Sequence, residues 1–184
     1  MPIAPCRRVA PRHAAGMLLT LALLCLAPHP APAGELSQLS AAPPALSLPD
    51  LAGRARDLDE FDGKVLLVSF WASWCRPCIE EIPAIRRLSE AMTDQPFAVI
   101  GVNVGEGQRR VQAAVTRLGI TFPVMLDRDS AAFKAWGADV LPTAYVLDAI
   151  GRVRYIARGP LQWDRGDIIE ELKHLAAEQT VRSE

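Results

Sequence analysis

Cysteine and histidine are scarce in this 184-residue chain, and their placement says more than their number. Cys6, Cys25, His13 and His29 all fall in the first 33 residues, so the remainder carries only Cys75, Cys78 and His174. A structural zinc site takes four protein ligands and a catalytic one takes three; no such donor set is present. Basic tracts are missing too. The first 33 residues hold 3 of the 20 Lys and Arg and none of the 21 Asp and Glu, which leaves the rest at net −4. Nucleic acid and polybasic membrane binding therefore have no support. Beyond residue 33 no run is long and apolar enough to span a bilayer. No internal repeat is visible.

The start of the chain has the order of an export signal. Arg7, Arg8 and Arg12 precede the apolar run Gly16 to Ala27, and Ala31-Pro32-Ala33 offers a small-x-small cleavage site before Gly34. Residues 1–33 read as a secretory signal peptide, with an uncleaved N-terminal anchor as the alternative. This places the protein in the periplasm or another extracytoplasmic space. The context around Arg7-Arg8 is poor for twin-arginine export, and Leu24 before Cys25 is poor for lipidation. Residues 34–44, rich in Ala, Ser and Pro, read as a flexible lead-in, and 45–184 as one folded domain.

Within that domain the periodicity alternates between strand and helix. Ala45 to Leu48 suits a short strand, with turns at Gly53 and Gly63. The continuous apolar run Val65 to Ala72 suits a central buried strand. A helix is expected from the cysteines to about Met92, and a second buried strand over Phe97 to Val104. Gln108 to Leu118 looks helical, "FPVMLD" suits a short strand and Ser130 to Trp136 a short helix. "TAYVLD" and "RVRYIAR", separated by Ala149-Ile150-Gly151, predict a hairpin, and Asp164 to Glu178 a closing helix. The order implies an α/β domain with a mixed central sheet flanked by helices.

Both remaining cysteines stand in Cys75-Arg76-Pro77-Cys78, where a buried strand turns into a helix. Such a pair serves redox exchange, half of a metal site, Cu(I) carriage or an inert bridge. Placement favours exchange. Unpaired N–H groups and the positive dipole end of a helix stabilise a thiolate, lowering its pKa from about 8.5. Cys75 is then the exposed, attacking thiolate. Cys78, one turn in, is the shielded thiol that resolves the mixed disulfide. Pro77 fits the first helical turn. Arg76 either supports the thiolate or simply faces solvent. At about 100° per residue, Ile82, Ile85, Leu88 and Met92 share one arc with Cys78. Glu81 falls inside that arc and Glu80 opposite it. A carboxylate on the core side has its pKa raised by burial. That suits Glu81 to exchange the proton of Cys78, the alternative being a purely structural acid.

With these residues the chain resembles the thioredoxin superfamily, and within it the TlpA-like or ResA-like secreted thiol–disulfide oxidoreductases. The likeness centres on "VLLVSFWASWCRPC" and extends over nearly the whole domain. It implies a thioredoxin-like fold with a central strand-plus-helix insertion, placed within roughly Val104 to Trp136. Pro83 matches the proline inside the active-site helix. Leu141-Pro142-Thr143 matches the segment whose cis proline faces the cysteines and presents backbone to an extended substrate; Trp74, Arg76 and Pro77 flank that surface. Ser69 stands where cytosolic relatives carry a buried aspartate, which strengthens the case for Glu81. The resemblance implies a monomeric reductant of specific protein disulfides, in apocytochromes c or copper-site proteins, that uses no cofactor and takes electrons from a membrane thiol donor. The competing activities are a disulfide-forming oxidase or isomerase, or a copper carrier. Trp71 reads as core, and His174 carries no assigned role.

Overall fold

A computed structural model describes residues 34–180; the export-signal expectation for 1–33 lies outside them. Eight strands and four helices follow in order: β1 (Leu36–Ala41), β2 (Ser47–Pro49), β3 (Ala55–Asp57), β4 (Val65–Trp71), α1 (Arg76–Ala91), β5 (Phe97–Val104), α2 (Gln108–Leu118), β6 (Val124–Asp127), α3 (Ala131–Ala135), β7 (Thr143–Leu147), β8 (Val153–Arg158) and α4 (Gly166–Thr180). A 3-10 turn, Leu58–Phe61, links β3 to β4. Six strands form one mixed sheet in the order β1-β8-β7-β4-β5-β6. β4, β5 and β6 run parallel, while β7, β8 and β1 pair antiparallel. The fold is the mixed α/β architecture anticipated from the sequence.

Strand β4 is buried at every residue because both of its faces are covered. Alternate residues serve opposite cores. Val65 and Leu67 pack with Ile85, Leu88 and Met92 around α1 and with Ile168, Leu172 and Leu175 of α4. Leu66, Val68 and Phe70 face Tyr145, Trp136 and Phe133. There Phe70 meets Phe133, Trp136 and Tyr145 edge to face, with centroids 5.6–6.0 Å apart. Each fully buried large side chain contributes about 1.5–3 kcal/mol. The sheet therefore holds the C-terminal end of β4 and the start of α1 rigidly.

The lead-in expected over 34–44 is corrected. Residues 36–41 are strand β1, hydrogen-bonded along the outer edge of β8. The strand was hard to read because an edge strand is held by its backbone; only Leu36 and Leu39 turn partly inward. The short strand expected over Ala45 to Leu48 is β2, shifted to Ser47–Pro49, while its antiparallel partner β3, only three residues long, escaped the pattern. Between β5 and α3 the chain inserts α2 and the edge strand β6, within the span expected for extra length.

Candidate active site

The end of β4 and the first turn of α1 bring the two cysteines together. Cys75 and Cys78 form a disulfide, with Cα atoms 5.3 Å apart. Cys75 is the N-cap of α1, and its Sγ accepts a hydrogen bond from the Cys78 backbone N–H at 3.2 Å. That N–H is one of the unpaired donors of a helix start, and it points at the Cys75 sulfur. Pro77 occupies the first turn, where its missing N–H is no loss.

Accessibility differs from the expectation for Cys75. In the disulfide form Cys75 is only 5% exposed and Cys78 1%. Both pack into an apolar cluster with Trp71, Ile82, Val111 of α2 and Leu126 of β6, and Leu141 lies against it. Both sulfurs of the oxidised pair are covered. Around it Trp74 stands 65% exposed and Val140 43% exposed. The Leu141–Pro142 peptide bond is cis. Pro142 is buried, its carbonyl accepts from Gly159 N at 2.9 Å, and the Thr143 hydroxyl donates to the Val140 carbonyl at 2.7 Å. Cys75, Cys78, Trp71 and Leu141 thus share one neighbourhood. Arg76 does not join it: its side chain is 89% exposed and bonds Glu80 at 2.8 Å.

Glu81 lies one helical turn beyond Cys78 and is buried, while Glu80 is exposed. Its Oε1 accepts hydrogen bonds from Leu161 N at 3.1 Å and from the Trp163 indole Nε1–H. Burial pushes this carboxyl up to about 7, against the pull of those two donors. An acid with that value exchanges protons near neutrality. Neither donor was legible in the sequence, since both come from about 80 residues away.

A second buried acid was also missed. Glu106, after β5, accepts from the Ser73 N–H and the Ser73 hydroxyl, both at 2.6 Å, and from the Asn103 amide at 2.9 Å. Burial alone pushes its carboxyl up; the Ser73 and Asn103 bonds, aided by Arg110, outweigh that and hold it below its ordinary value. It ties the turn before Cys75 to the neighbouring strand. The signal available for it was position, an acid just past the C-terminal end of a parallel strand. Ser69 is buried, Trp71 is core, and His174 is exposed on α4. Among the described residues no group of three or more His, Cys, Asp or Glu is placed to hold a metal ion.

Comparison with known proteins agrees with this geometry. The Redoxin family model matches residues 37–172. The chain is 34% identical over 132 residues to the thiol-disulfide oxidoreductase ResA of Geobacillus thermodenitrificans, covering 72% of this chain and 75% of that one. It is 34% identical over 118 residues to ResA of Geobacillus kaustophilus, covering 64% and 68%. A crystal structure of a thiol:disulfide interchange protein of the thioredoxin family from Chlorobium tepidum superposes with a TM-score of 0.62 at 26% identity, covering 74% of this chain and 98% of that one.

Proposed function

The chain belongs to the Redoxin family, as a ResA-like member of the thioredoxin superfamily with thiol–disulfide oxidoreductase activity, and from that premise we propose that it works outside the cytoplasm as a reductant of specific protein disulfides. The observation that carries this reading is the Cys75–Cys78 disulfide at the start of α1, with a buried acid one turn below it.

The exchange balances on the dithiol alone. In the reduced protein the Cys75 thiolate attacks one sulfur of a client disulfide. A mixed disulfide forms and the first client thiolate leaves. Cys78 then gives up its proton to Glu81 and attacks Cys75 Sγ. The second client thiolate leaves, and Cys75–Cys78 closes. Two electrons pass from the pair to the client. A membrane-embedded thiol donor restores the dithiol. Trp74, the Leu141-Pro142-Thr143 segment and the first turn with Arg76 and Pro77 form the face that the client chain meets. The clients are disulfides of the kind formed in apocytochromes c or copper-site proteins.

Charge supports the reductant direction. Arg76 would favour the thiolate, and so an oxidant, if it reached Cys75; instead it is solvated and tied to Glu80. The pair then has the helix start, without Arg76, to favour its thiolate. Its potential should lie nearer the roughly −270 mV of thioredoxin than the roughly −120 mV of DsbA. Equilibration with glutathione measures it; a value near −120 mV overturns the reductant reading. Cys78→Ser supplies the client test. It should accumulate clients as mixed disulfides on Cys75, and their absence from extracytoplasmic extracts would count against the role.

A further inference from the structure

One short segment reaches both the client face and the buried acid. In Gly159–Trp163, the Gly159 N–H holds the Pro142 carbonyl at 2.9 Å, and the Leu161 N–H and Trp163 Nε1–H both hold Glu81 Oε1. Trp163 is fully buried in the core that includes Ile85 and Leu88 of α1. A close-packed interior leaves its ring no room to turn away. Among the described residues Glu81 Oε2 accepts no hydrogen bond.

A carboxylate oxygen offers two lone-pair sites. On Oε1 both are taken, so an added proton has its place on the other oxygen. We propose that Trp163 is a positioning residue for the exchange: with the Leu161 N–H it saturates Glu81 Oε1, so that the proton released by Cys78 sits on Oε2. This deepens the proposed function and rests on its assignment of Glu81. The two donors favour the ionised acid and oppose the effect of burial. Among the described residues no charged group is paired with Glu81. On its own helix, Cys78 is held in the disulfide and the outward Glu80 is bonded to Arg76. From the loop, Asp164 is bonded to Arg87 at 2.6 Å. From the sheet, the Tyr155 hydroxyl is taken by Glu171 of α4, and His174 is exposed. None of these makes a hydrogen bond or ion pair with Glu81.

Nuclear magnetic resonance of the oxidised protein tests the clamp without a client. The Trp163 indole N–H signal of the unaltered protein should titrate with the Glu81 carboxyl carbon, and should lose its pH dependence in Glu81→Gln. In Trp163→Phe the Glu81 midpoint should rise by about one unit or more, as expected when a hydrogen bond to a charged group is lost. An indole signal flat between about pH 5 and pH 9, or a Glu81 midpoint unmoved in Trp163→Phe, overturns the inference. If Trp163→Phe does not fold, the indole titration of the unaltered protein decides alone. A failure of the proton role of Glu81 looks different: thiol reactivity keeps its pH dependence in Glu81→Gln while the indole still titrates.

Discussion

Glu81 shows how far single residues could be read. Its angle on the helix placed it among apolar side chains, and it is buried there. The Trp163 and Leu161 donors that oppose the effect of burial on it lie beyond any local pattern. For Arg76 the sequence left two readings open, a thiolate partner or a solvent-facing residue, and the structure shows the second, with the i,i+4 Glu80 as its partner. The raised pKa of Glu81 has a consequence for stability. The folded protein holds this proton up to about 7, whereas an unfolded glutamate releases it near 4.3. Its contribution is therefore fully present below about pH 4.3 and is lost as pH rises to about 7. The loss is on the order of 3 kcal/mol. Glu81→Gln, with no charge to bury, should gain on the unaltered protein by up to that amount across the same window. Denaturant titrations of both proteins at several pH values measure this, and a gap that does not change with pH contradicts it.

At the scale of elements, buried runs were legible and edges were not. β4, β5 and α2 follow from continuous apolar stretches and helical spacing, because two covered faces leave little choice of residue. β1 carries LSQLSA, whose side chains are mostly outside, and its existence depends on pairing with β8. Its start is fixed by Gly34, which has φ +67°; a Cβ there would lie 1.9 Å from the Pro160 carbonyl oxygen. Gly34→Ala should therefore cost roughly 1–2 kcal/mol in chemical denaturation of the oxidised protein. An unchanged midpoint would mean that β1 does not depend on this contact. In α1, Leu88 is fully buried between helix and sheet. Leu88→Ala should cost about 2–5 kcal/mol by the same assay, and a loss below about 1 kcal/mol would show that this face is not packed as described.

Across the whole molecule, the order of elements in the sequence was enough to anticipate an α/β domain with a mixed sheet. The thiol chemistry was legible because it sits in one contiguous motif at a strand-to-helix junction. The acids Glu81 and Glu106 had to be assembled by the fold, from the 161–163 loop and the turn at Ser73. What the molecule builds is a covered disulfide at a helix start, with the Cys75 sulfur held by the Cys78 N–H and the Cys78 sulfur one turn in. Timed alkylation of the reduced protein, with each cysteine followed by mass spectrometry across pH, tests this most directly. Cys75 should be modified first, with a midpoint below the roughly 8.5 of a free thiol, and Cys78 should lag well behind. Equal labelling of the two cysteines, at rates no faster than glutathione, would contradict it.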